Sequence, residues 1–135
     1  MIERIFPATE DQLEPVQSFI DGELEQYDCP PKAQIQLAVA VEEIFINIVR
    51  YAYHPEVGLA TVRCSVGGDP LQVTIQFLDN GKPFNPLEKE DADITLSAEE
   101  RDIGGLCILM VKKSMDAVDY EYVDGKNILT IKKNL

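Results

Sequence analysis

The chain has 135 residues and a formal net charge of −12, long enough for one domain (1–135) with a core of its own. Acidity on this scale argues against nucleic acid, which is bound through Lys and Arg contacts to phosphate, and against anionic membrane surfaces; a basic protein partner suits it, as does solubility alone. No apolar run nears the ~20 residues of a membrane-spanning helix, and the N-terminal MIERIFPATED is acidic where a signal peptide is apolar, so a cytoplasmic protein is expected.

In chain order, residues 2–6 (IERIF) read as a short strand. Thr9 and Gln12 resemble a capping box, and Leu13, Val16, Phe19, Ile20, Leu24 and Tyr27 then recur at helical spacing. Pro15 predicts a delayed or bent first turn. Pro30-Pro31 divides this helix from a second over 31–52, since Pro suits a helix's first position. Beyond Gly58 the period changes to two. Ala60, Val62, Cys64 and Val66 alternate with polar residues, as do Leu71, Val73, Ile75 and Phe77, and the turn 67–70 between them predicts an antiparallel pair.

The acidic segment 82–102 lacks a sustained period and is long for a connection within a compact domain, which marks it as a functional loop. A helix over 104–116 follows. Strands over 117–123 and 126–133 close the chain around Asp124-Gly125, a pair suited to the positive φ of a tight hairpin. This order predicts an α+β fold, a two-layer α/β sandwich with a mixed β-sheet and helices on one face. Cys29, Cys64 and Cys107 form no C-x-x-C pair and His54 is the sole histidine, so a Cys/His metal site, which takes three or four ligands, is not expected. Free thiols are.

Three places invite chemistry. On the second helix, Gln36, Ala40, Glu43, Asn47 and Arg50 share a sector of roughly 80°. Glu43 and Asn47, four residues apart, point together, either into a site or from a solvated face. Glu42 falls among the apolar residues and is the weaker site candidate. Asp79 continues the register of Leu71, Val73, Ile75 and Phe77, so its carboxylate faces the core and needs a partner, unless it caps the turn. Gly81 leaves space where a flat ligand can approach. Gly104-Gly105 at a helix start suits an anion, with Asp102 as an ordinary N-cap the simpler alternative.

Together these stretches resemble the GHKL (Bergerat-fold) ATP-binding domain, in its branch of bacterial anti-sigma factors and serine-protein kinases. Glu43-x-x-x-Asn47 with Tyr51-Ala52-Tyr53 is similar to that family's N box. Asp79-Asn80-Gly81-Lys82-Pro83-Phe84-Asn85-Pro86 is similar to its D-x-G-x-P-F box, the most specific match. Gly104-Gly105-Leu106-Cys107-Ile108-Leu109-Met110-Val111, with Asp116, resembles its second glycine box, and Gly125-x-Asn127 fits the closing hairpin.

The resemblance implies ATP and Mg²⁺ as ligands. Asn47 is then the Mg²⁺ residue, Asp79 accepts the adenine amino group, and Gly81 lets the base lie close. Gly104 and Gly105 receive phosphates, 82–102 is the lid, and Glu43 is the general base of a serine kinase. It further implies a sigma factor and an anti-sigma factor antagonist as partners, and a homodimer. Cys107 departs from a common glycine, and Arg101 is the one cation in the second half of the lid. A non-catalytic partner-switching module of the same fold, and a phosphorelay or phosphatase-linked regulator, are the competing expectations.

Overall fold

The computed structural model describes residues 1–53, 56–83, 85 and 111–135. Strand β1 (Ile2–Pro7) leads through a 3-10 turn (Glu10–Gln12) into helix α1 (Leu13–Leu24). Helix α2 (Pro31–Asn47) continues into a π-helical turn (Ile48–Ala52), so winding reaches Ala52 as predicted. Strands β2 (Leu59–Gly67), β3 (Gln72–Asp79), β4 (Ala117–Val123) and β5 (Lys126–Asn134) follow. Of the helix predicted over 104–116, residues 111–114 are helical; 104–110 and most of the predicted lid lie outside the described residues.

Pro15 is the third residue of α1, where the N–H has no intrahelical acceptor, so the ring costs no helix hydrogen bond. The capping box does not form. Thr9 donates its hydroxyl to the Asp11 carboxylate, a charged acceptor only two residues on, while the Gln12 backbone N–H bonds the Thr9 carbonyl at 3.0 Å. Val16, Ile20 and Leu24 form the buried stripe of α1. Leu37, Val41, Ile44 and Phe45 form that of α2. Glu42 lies opposite and is exposed, in line with Ile35 (65% exposed) and Val39 (38%). The apolar residues near Glu42 therefore mark the outer stripe of α2, not its core stripe. Glu43 and Asn47 sit half-buried on the flank between them.

The sheet order is β1-β2-β3-β5-β4. Among the described residues every ladder is antiparallel, which corrects the expected mixed sheet while leaving the two-layer α+β architecture in place. The reason is topological. β4 runs in the same direction as β3, but the Asp124-Gly125 hairpin returns β5 into the space between them, so no parallel pair forms. Both turn residues have positive φ, 52° and 76°, as the hairpin requires.

Alternation sorts the faces. Ala60, Val62, Cys64, Val73, Ile75, Phe77, Leu129 and Ile131 meet the helices in one core with Phe6 and Phe45. The opposite face carries polar pairs such as Gln76 with Thr130 at 3.3 Å and Arg63 with Glu3 at 3.1 Å. Burial, with Glu23 adding to it, pushes the Cys64 thiol up to about 11, so it behaves as a small core residue. Cys29 is also a free thiol; Cys107 lies outside the described residues.

Candidate functional site

The last residue of β3 is Asp79, and the register sets it between Ala60 of β2 and Asn127 of β5. It is 7% exposed, and with Asn127 (6%) it makes up the buried polar set among the described residues. Strand parity explains the burial, because Asp79 follows Ile75 and Phe77 on the core face. One carboxylate oxygen, Oδ1, accepts the Gly81 N–H at 2.9 Å and the Asn127 amide at 2.9 Å. The same Asn127 nitrogen donates to the Lys82 carbonyl at 2.8 Å and lies 3.4 Å from that of Gly81. Tyr120 donates its hydroxyl to the Asn127 side-chain oxygen, which orients the amide with its donors toward Asp79. Burial raises the Asp79 pKa above the ordinary 3.8, and the bonds from Asn127 and Gly81 oppose the rise.

The turn after Asp79 is pressed against the end of α2. A Cβ on Gly81 would lie 2.2 Å from the Ala52 carbonyl oxygen, so only glycine fits. That carbonyl belongs to the last helical turn, where carbonyls lack intrahelical partners; it accepts the Lys82 N–H at 3.2 Å. The π-helical turn sits at this junction, a local widening often found at functional sites. Glycine here therefore serves the chain's own close packing, whatever ligand approaches.

Between α2 and the sheet lies a cavity. Ile44, Ile48, Phe77 and Leu129 give it apolar walls, and Asn47, Asp79, Tyr120 and Asn127 bring polar groups to it. Flat apolar walls with a few convergent polar groups are the usual make-up of a small-molecule site. The structure thus brings Asn47 and Asp79 to one cavity from opposite layers, with Gly81 bonded to Asp79. Glu43 lies one helical turn before Asn47, half-buried, and is not among the lining residues. Gly104 and Gly105 lie outside the described residues, as does Cys107.

Among the described residues no cluster of His, Cys, Asp and Glu could hold a metal by itself. Mg²⁺ needs no such cluster, since it keeps several waters and takes further oxygens from phosphates. The single carboxamide of Asn47 on the cavity wall fits that mode. Sequence reading missed Tyr120 and the partnership of Asn127 with Asp79. Its one signal for the latter was Asn127 two residues after Gly125, and only the β3–β5 register shows what it touches.

No helix among the described residues is long and apolar enough to cross a membrane. Comparison with known proteins finds the serine-protein kinase RsbW of Listeria monocytogenes, 32% identical over 101 residues, covering 71% of this chain and 63% of that protein. The anti-sigma F factor of Thermoanaerobacter sp. (strain X514) is 25% identical over 93 residues, covering 69% and 64%. The serine/threonine-protein kinase BtrW of Bordetella bronchiseptica is 24% identical over 103 residues, covering 74% and 70%. The match thus spans 64% of the length of the anti-sigma F factor. A model of the histidine kinase-like ATPase domain matches residues 6–133, and the chain, with its antiparallel sheet under two helices, belongs to that family, the GHKL ATPases.

Proposed function

We propose that this chain is a cytoplasmic ATP-binding anti-sigma regulatory factor that acts as a serine-protein kinase on an anti-sigma factor antagonist. The observation that carries the reading is the state of Asp79. Its Oδ1 is occupied by two donors, its surroundings are buried, and it sits on the wall of the cavity that Asn47 also lines. A carboxylate held in that way presents its second oxygen as an acceptor for an exocyclic amino group, and the apolar walls suit a purine. The names of the relatives, anti-sigma F factor and serine-protein kinase, support the choice of partners.

In this reading residues 1–135 form one nucleotide-binding domain with 82–102 as its lid. Asp79 accepts from adenine, and the absence of a side chain at Gly81 keeps the turn beside it closed. Asn47 would give one oxygen to a bound Mg²⁺, and Gly104 and Gly105 would offer backbone N–H groups to phosphates. The metal supplies charge neutralisation at the phosphate oxygens. Glu43 takes the proton of the attacking serine hydroxyl as the new serine–phosphate bond forms and ADP departs; such a base is worth about 10²–10⁴ in rate. β1 is an edge strand with Ile2 and Ile5 exposed, which suits a homodimer.

A second reading has its own observation. Glu43 lies outside the cavity lining, and a protein that holds ATP and switches partners without phosphorylating them needs Asn47 and Asp79 but no base. The test has two stages. Calorimetric titration with Mg-ATP should show one site per chain, and an absence of heat at millimolar nucleotide overturns both readings. Incubation with Mg-ATP and the antagonist should then yield phosphoserine that Glu43→Ala abolishes. Tight ATP binding with no phosphoserine selects the switch.

A further inference from the structure

Tyr53 stands immediately after the helical winding of α2 and its hydroxyl bridges two strands. It donates to the Leu59 carbonyl at the start of β2 at 2.6 Å, and it accepts the Asn80 N–H, just past the end of β3, at 2.7 Å. Its ring packs on the core and lies close against Gly58, where an added Cβ would meet ring carbons at 2.4–2.5 Å. Burial raises the phenol's pKa, so the hydroxyl keeps its proton and can serve as donor and acceptor at once. The neighbouring residue, Ala52, accepts the Lys82 N–H from the same turn.

Asp79 is therefore flanked by two separate ties. Asn127 and the Gly81 N–H hold its carboxylate from within the sheet. Tyr53 holds the next peptide, Asn80, from the helix side. The Asp79–Asn80 peptide is where the strand leaves the sheet; a shift there swings the carboxylate relative to the cavity.

We propose that Tyr53 is a positioning residue for base selection: its hydroxyl fixes the Asn80 peptide so that the free oxygen of Asp79 meets an exocyclic amino group on the purine. The inference rests on the reading of Asp79 as the acceptor of that group. Tyr53 is not among the residues that line the cavity, so its effect falls on selectivity between purines that differ at this edge of the ring.

The experiment compares ATP with inosine triphosphate, which carries an oxygen in place of the amino group and a proton on the adjoining ring nitrogen, by Mg²⁺-containing calorimetric titration of the full chain. Wild type should prefer ATP. Tyr53→Phe keeps the ring and removes the hydroxyl; it should weaken ATP by about three- to tenfold, the scale of one hydrogen bond, while leaving inosine triphosphate nearly unchanged. Gly58→Ala, which displaces the ring but keeps the hydroxyl, should reproduce the loss. In both variants the Asn80 amide should exchange its hydrogen faster. An unchanged ATP preference in Tyr53→Phe, alongside a lost preference in Asp79→Asn, overturns the role of Tyr53 alone. An unchanged preference in Asp79→Asn overturns the base reading and the inference with it. Equal weakening of both nucleotides in Tyr53→Phe also overturns it, since that is the mark of general loosening.

Discussion

Along β3 and β5 the cavity wall is braced from inside the sheet. Asp79 is nearly inaccessible, one of its oxygens has two donors, and the donor side chain Asn127 is itself held by Tyr120. Along α2 the opposite wall is loosely furnished. Glu43 and Asn47 are half-buried, and neither side chain has a hydrogen-bonding partner among the described residues. A recognition group must be in place before the ligand arrives, or the ligand's binding energy is spent on ordering it. Groups that act on phosphate or on an incoming hydroxyl are needed only once those have arrived. On the proposed function, the contrast separates a preformed base-reading corner from an edge that its ligands would complete.

Three substitutions sharpen or break the contrast. Gly81→Ala strikes the braced corner hardest, because its Cβ would press into the Ala52 backbone at 2.2 Å. Urea unfolding should show a loss of about 3 kcal/mol, the upper range for forced overpacking, and a loss below ~1 kcal/mol would show that the corner yields. Asp79→Asn should have the opposite sign on stability. Burial raises the folded-state pKa of Asp79 above its ordinary value, so its contribution to stability is fully present below the unfolded pKa and declines as pH rises through the folded one. At pH 7 the isosteric amide, which can still accept from Gly81 and Asn127, should raise Tm by a few degrees while ATP binds more weakly and loses its advantage over inosine triphosphate. A variant that is less stable at pH 7 would mean that the ionised carboxylate is a net stabiliser of the corner. Glu43→Ala, on the loose edge, should change stability by no more than about 0.5 kcal/mol and leave the ATP titration unaltered. A larger stability loss would mean that the helix flank is as braced as the sheet.

How much of this was legible in the sequence divides along the same line. Period-two alternation located β2 and β3 and put Asp79 on the core face, and Asp124-Gly125 announced the final hairpin. Leu13, Val16, Ile20 and Leu24 marked α1. These are local signals, readable from neighbours within a few residues. What stayed hidden depends on which strand lies beside which. The Asp79–Asn127 bond joins residues 48 apart in the chain, and it exists because β5 inserts between β3 and β4, which also makes the sheet wholly antiparallel. The Ala52–Gly81 approach and the Tyr53 bridge likewise need the packed layers. The apolar residues around Glu42 do not mark a core, because an apolar residue on a helix does so only when it falls on the inner stripe, and Ile35 and Val39 do not.

The insertion of β5 has a consequence for how the protein comes into being. In a chain made from its N-terminus the residues of β1, both helices, β2 and β3 emerge before those of β5, and domains can begin to fold during synthesis. Until β5 docks, Asp79 ends an edge strand with no Asn127 beside it. The corner that would select a nucleotide thus waits on β5. On the proposed function, nucleotide would stabilise only molecules in which β5 has docked, which would make the ligand a reporter of that docking step.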